Sequence, residues 1–192
     1  MAQAAREAHG LERVVFVPAY SPPHKREGLS EYRHRLAMAE LAARSLPGAQ
    51  VSDCERRRGG VSYTADTLRQ LAGESPGAVL FFIIGEDSIA ELPQWKDLPG
   101  ILSVARIVAV NRPGQHRRFE PRAFPGIPPD VLARCEEDRV EMEPVPVASR
   151  DLRAKLAAGE NCDSSLPVGV GDYIRTHGLY GTSSNETQRR RK

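Results

Sequence analysis

The sequence predicts an α/β fold built on a mostly parallel sheet. Two observations carry that reading. The run "VLFFII" (79–84) is apolar on consecutive positions, the pattern of a strand covered on both faces. Shorter β-branched runs, "VVFV" (14–17) and "RIVAV" (106–110), alternate along the chain with helical segments that serve as crossovers.

Residues 2–9 are alanine-rich and stop at Gly10, as a helix closed by a C′ glycine does. "VVFV" is a strand halted by Pro18. After the loop "AYSPPHKREGL", Ser30 is expected to open a helix with Leu36, Ala39 and Ala43 on one face, ended by Pro47-Gly48. "QVSDCE" reads as a strand and "RRRGGVSY" as the loop after it. Thr64 can cap a helix carrying Leu68 and Leu71 and ending at Gly73. Beyond "VLFFII" come a short helix near 87–92, helical turns around 97–103, and "RIVAV". Residues 112–139, rich in proline, arginine and glycine, yield no firm element. "VEMEPVPV" (140–147) is strand-like, Ser149 begins a helix, and Pro167 begins another through about His177. One domain over 1–180 and a disordered basic tail over 181–192 are expected.

The chain has 192 residues and a formal net charge of +2 with mixed signs, so no bulk field argues for nucleic acid or membrane. Its longest apolar run is too short to span a bilayer. Cys54, Cys135 and Cys162 are scattered without a C-x-x-C, which fits neither a disulfide framework nor a zinc site. No metal-ligating cluster is read. A reducing cytoplasm is the simplest home.

In open α/β sheets ligands bind off the C-terminal ends of the strands, which is where "GEDSIAELPQW" (85–95) falls. Glycine lets a ligand approach the backbone, and a carboxylate at a strand end can accept ribose hydroxyls. Each feature also has a plainer account. "SPPHK" is a stiff proline loop with a solvated lysine, or a loop that holds His24 and Lys25 toward an anion. "GGVSYTADT" is a loop entering a capped helix, or a helix start whose free N–H groups suit a phosphate. Trp95 is core, or a stacking platform in a polar loop. "SRDLR" (149–153) is a solvated basic face, or a set of cations that an anion meets at a helix N-terminus. The features are individually weak, and their order along the chain is the stronger signal.

"VVFVPAYSPPHK", "RGGVSYTADTLRQL", "FFIIGEDSIAELPQW", "VAVNRPG", "VASRDLR" and "VGDYIRTHGLY" together resemble the bacterial nicotinate-nucleotide adenylyltransferases, Rossmann-like enzymes of the nucleotidyltransferase superfamily. The resemblance runs to Tyr180. It implies a doubly wound sheet, adenylyl transfer from ATP to nicotinate mononucleotide, and release of deamido-NAD and pyrophosphate in NAD biosynthesis. Mg²⁺ would ride mainly on the ATP phosphates. By this resemblance Gly85 and Asp87 hold the ATP ribose, while Ser149 and Arg153 meet its phosphates. Lys25 faces the phosphates, and Lys25 and Arg153 are the catalytic candidates. Thr64 and Trp95 hold the nicotinate, the Lys96 N–H bonds its carboxylate, and Arg112 reaches the mononucleotide phosphate. The implied partners are these two nucleotides, with no nucleic acid and no membrane; a homo-oligomer is left open.

The chain departs from the family twice. Ala148-Ser149-Arg150-Asp151-Leu152-Arg153 keeps only one serine and the final arginine of the family's second phosphate motif. The family's first strand and His-x-Gly-His motif have no counterpart, since the sequence begins inside the helix that follows them. His9, beside Gly10, is no replacement. The expectation is therefore a start upstream of Met1 or a fragment, with the edges of neighbouring strands uncovered. Two rivals stay open: a non-catalytic nucleotide-binding remnant, and a pantetheine-phosphate adenylyltransferase relative, against which "SYTADTL" and "LPQW" argue.

Overall fold

In the computed structural model, which describes residues 1–23, 29–111, 117–143 and 149–181, helices and strands alternate from the first residues. Helix α1 (Ala2–His9) ends at Gly10, whose φ of 59° lets its N–H return to the Arg6 carbonyl. Strand β1 (Val14–Phe16), helix α2 (Tyr32–Ala43) and strand β2 (Ala49–Val51) follow. Helices α3 (Cys54–Arg58) and α4 (Thr64–Glu74) lead into β3 (Leu80–Gly85). Two 3₁₀ turns, Glu86–Ala90 and Leu92–Gln94, precede α5 (Leu98–Val104) and β4 (Ala105–Asn111). The described chain continues through α6 (Pro129–Glu137), β5 (Val140–Glu141), α7 (Ser149–Ala157) and α8 (Val170–Thr176).

Every strand pairing is parallel, and the sheet falls into two pieces. β1 pairs with β2, Val14 opposite Ala49. β3 pairs with β4 from Leu80–Ala105 to Gly85–Val110, and β4 pairs with β5 at Val110–Val140. Among the described residues no strand lies on the other side of β1 or of β3. Val15, in the middle of β1, is accordingly 41% exposed.

This changes the expectation for "VLFFII". Its alternate residues do meet apolar partners on both faces. Leu80, Phe82 and Ile84 join the large cluster with α4, α5 and α6, while Phe81 and Ile83 join α1, Val108 and Val110. Only Ile84 is fully buried, however, because among the described residues β3 is paired on one side only; the buried strand is β4, paired with β3 along its length and with β5 at its last two residues. A third cluster, Leu156, Cys162, Val170 and Ile174, joins α7 and α8 to Met38 and Leu41 of α2.

Several boundaries differ from expectation. Helix α2 starts at Tyr32; of the expected Leu36, Ala39 and Ala43 face only Ala43 is fully buried, together with His34, while Leu36 and Ala39 are half-buried. Residues 54–58, expected in a strand end and a loop, are helical, since Cys54 and Glu55 are buried on one side of the turn. Tyr63 takes the N-cap position of α4, so Thr64 is its first helical residue and makes no capping bond. Helix α6 lies where no element was expected: Pro129 suits a first helical turn, and Leu132 and Cys135, three apart, supply the buried stripe. β5 is limited to Val140–Glu141, and 144–148 and the tail from 182 lie outside the described residues. His9 Nε2 donates to the Asp138 carbonyl oxygen (3.0 Å), and its ring lies against Phe81. All three cysteines are free and buried, and no helix among the described residues is long and apolar enough to cross a membrane.

Candidate functional site

The C-terminal ends of β3 and β4 are where the sequence places the candidate site. Gly85 closes β3 opposite Val110, and the two 3₁₀ turns carry the chain from there to Trp95. Asp87 is exposed on the first turn, while its neighbour Glu86 is buried. The Met1 side-chain methyl lies over Gly85, 3.7 Å from the position of an ideal Cβ. Trp95 is half-buried and meets Phe82 edge-on, ring centroids 5.9 Å apart. The indole thus packs against a β3 side chain and the cluster behind it while staying partly exposed.

The turn after Trp95 is tied to the start of α4. Lys96 Nζ sits 3.9 Å from the Tyr63 ring centroid and 3.7 Å from the Asp66 carboxylate. Asp97 adopts a left-handed φ of 56°, accepts the Gly100 N–H at 3.0 Å as the α5 N-cap, and pairs with Arg69 of α4. The Arg69 hydrogen bond, then the Gly100 N–H, hold the Asp97 carboxyl below the usual carboxylate range. Gly100 has no room for a side chain, because a Cβ there would enter the Arg69–Asp97 pair. These contacts tie the Trp95–Lys96 turn to the start of α4, whose first residue is Thr64.

A second set of bonds fixes the loop that follows β1. Glu55, buried on α3, accepts the Tyr20 N–H at 2.9 Å and the Thr67 hydroxyl at 2.7 Å. Arg58 donates to the Thr67 oxygen at 2.9 Å, so its charge reaches the buried carboxylate through one hydroxyl. Ser21 N–H donates to Ser62 Oγ, and Ser62 N–H returns to the Ser21 carbonyl. The segment before residue 24 is thereby stitched to the segment before Thr64. The sequence reading missed Glu55 and Ser62, whose partners lie 35 and 41 positions away. Farther off, His34 Nδ1 meets the Tyr173 hydroxyl at 2.9 Å, and Tyr173 stacks on His177.

The remaining candidates divide. Lys25, with His24, and Arg112 lie outside the described residues. Ser149 and Arg153 are exposed on α7, whose apolar side joins the α2–α8 cluster; no hydrogen bond or ion pair links them to Gly85 or Asp87. A cleft of about 590 Å³ opens between the 118–121 segment and the end of α6, lined by Phe119, Glu136 and Arg139 among others and not by Trp95. Among the described residues no group of three or more His, Cys, Asp or Glu side chains is placed to hold a metal ion.

Comparison with known proteins gives a consistent result. Residues 1–166 match the Cytidylyltransferase-like family. A protein of Geobacter metallireducens, named a probable nicotinate-nucleotide adenylyltransferase, is 36% identical over 94% of this chain and 89% of its own length. A protein of the same name from Roseiflexus is 39% identical over 94% and 88%. The solved structure of Plasmodium falciparum nicotinic acid mononucleotide adenylyltransferase complexed with NaAD superposes with a TM-score of 0.63 at 17% identity, over 88% of this chain and 83% of that one. That last likeness concerns the fold.

Proposed function

Since the chain belongs to the Cytidylyltransferase-like family and, within it, to the nicotinate-nucleotide adenylyltransferases, we propose that it transfers the adenylyl group of ATP to nicotinate mononucleotide. A phosphate oxygen of the mononucleotide attacks the α-phosphorus of ATP in line. The new P–O bond forms as the bond to the β-phosphate oxygen breaks, giving deamido-NAD and pyrophosphate. Such chemistry needs positioning and charge neutralisation more than acid–base groups.

The observation that carries the reading is the single stretch 85–96, which leaves the end of β3 with a glycine, an exposed carboxylate and a half-exposed indole packed on Phe82, followed by Lys96, which is tied to the start of α4. In this proposal Gly85 and Asp87 hold the ATP ribose. Trp95 stacks on the pyridine ring, with Thr64 and the Lys96 N–H at its carboxylate; this favours the acid mononucleotide. Ser149 and Arg153 serve the phosphates from the first turn of α7. Lys25 and Arg112 belong to the proposal by resemblance alone. Mg²⁺ enters as an ion carried on the ATP phosphates, where it would neutralise charge on the departing pyrophosphate.

The test is product formation from ATP, Mg²⁺ and nicotinate mononucleotide, with deamido-NAD and pyrophosphate both quantified. Nicotinamide mononucleotide and phosphopantetheine run in parallel. Equal amounts of the two products, with nicotinate mononucleotide preferred, are expected. ATP binding without product would favour the non-catalytic alternative, and turnover of phosphopantetheine would favour the other branch.

A further inference from the structure

We propose that Glu86 is a positioning residue for the nucleotide site: its buried carboxylate fixes the turn at the end of β3 that presents Gly85 and Asp87. This rests on the reading that those two residues hold the ATP ribose.

Glu86 is 4% exposed at the point where the strand gives way to a 3₁₀ turn. Its Oε1 accepts two donors, the backbone N–H of Arg117 and Nη1 of Arg139 at 2.9 Å. Arg139, only 13% exposed, also pairs with Glu136 at 3.0 Å and donates to the Arg117 carbonyl. One largely buried guanidinium thus binds the end of β3, the 117 segment and the α6–β5 turn into a single unit. The other oxygen, Oε2, is buried with no hydrogen-bond partner among the described residues. At the neighbouring strand end the Oδ1 of Asn111, 1% exposed, likewise has no hydrogen-bond partner among the described residues.

Stability does not account for this arrangement. A buried carboxylate satisfied at one oxygen costs free energy, and apolar replacements of buried ion pairs are often neutral or stabilising. Directional bonds supply what an apolar side chain cannot, a fixed angle for the turn. The two residues flanking Glu86 are the ones whose position the ribose would read. Buried polar atoms without a partner among the described residues lie at two adjacent strand ends and mark the same place, since such atoms are rare in the interior of a fold.

The parent, Glu86→Gln and Glu86→Ala are compared in two ways. Amide hydrogen exchange over residues 86–91 reports the turn directly and needs no activity. Exchange there is expected to quicken in both variants, more in Glu86→Ala, because Gln keeps an oxygen for the Arg117 N–H. Unchanged exchange in both overturns the proposal. Steady-state kinetics report the consequence. The KM for ATP is expected to rise about tenfold in Glu86→Ala, the size of one lost charged hydrogen bond, with the mononucleotide KM within about twofold. A fall in kcat at unchanged ATP KM, the signature of fewer folded molecules, overturns it as well. A parent without turnover would sink the adenylyl-transfer reading, and the exchange comparison would then decide Glu86 by itself.

Discussion

Glu86 and Asp87 are adjacent carboxylates with opposite surroundings, one buried and one exposed, and the same division recurs among the chain's other reactive side chains. Cys135, on α6, is 4% exposed, and burial first, then Asp138, pushes its thiol up to about 11. A thiol whose proton is held more tightly in the folded state stabilises the fold below its unfolded pKa. That contribution disappears as pH rises from the ordinary thiol value of 9.0 through about 11. Cys135→Ala should therefore have a flatter stability profile between those limits, the difference amounting to roughly 2–3 kcal/mol. Chemical denaturation of both proteins at four pH values checks this, and parallel profiles would refute it. Tyr32, raised chiefly by burial, contributes to the same decline in both proteins and cancels in the comparison. At this scale the sequence revealed the exposed chemistry and hid its supports. Gly85, Asp87 and Trp95 share one stretch and could be read together. Glu55 and Glu86 could not, because a carboxylate's role depends on partners such as Tyr20 or Arg139, tens of positions away.

Among elements, those with a strong local period were legible and those defined by tertiary burial were not. Helix α1 with its glycine stop, β4 and α7 follow from composition and punctuation. Helix α6 was masked by the prolines and arginines around it, and α3 has only five residues, too few for a period to show. Helix α5 shows how a cap can serve the site. Asp97 closes its N-terminus from a left-handed backbone while also holding Arg69 of α4, so one side chain orders the helix and the Trp95–Lys96 turn before it. Asp97→Ala should lower the unfolding midpoint, since it removes the cap and places alanine at a positive φ. Asp97→Asn should lower it less, because asparagine still caps and tolerates that conformation. The Ala variant should also shift the emission of Trp95, the sole tryptophan, toward the red as the turn loosens. Thermal scans with fluorescence detection check both, and an Ala variant as stable as Asn would remove Asp97 from this role.

For the whole molecule the division of the sheet should set the order in which the chain opens. β4 pairs with β3 along its length and with β5 at Val110 and Asn111, with Ile107, Val108, Ala109 and Val110 no more than 3% exposed and an apolar cluster on either face. The β1–β2 ladder has three residues per strand, and its middle residue Val15 is 41% exposed. Local opening needs less free energy where fewer apolar contacts and ladder bonds must break. Native-state hydrogen exchange should therefore find the amides of Ile107–Val110 slowest, protected at least about tenfold more than those of Val14–Phe16 and Ala49–Val51. β3 should show both behaviours within one strand. Its amides that point toward β4 should exchange with the core, and those that point to the unpaired edge should exchange with the loops, giving an alternation of period two. Uniform slow exchange along β3 would mean that its outer edge is paired in solution, and equal protection of β1 and β4 would mean that the two pieces open as one unit.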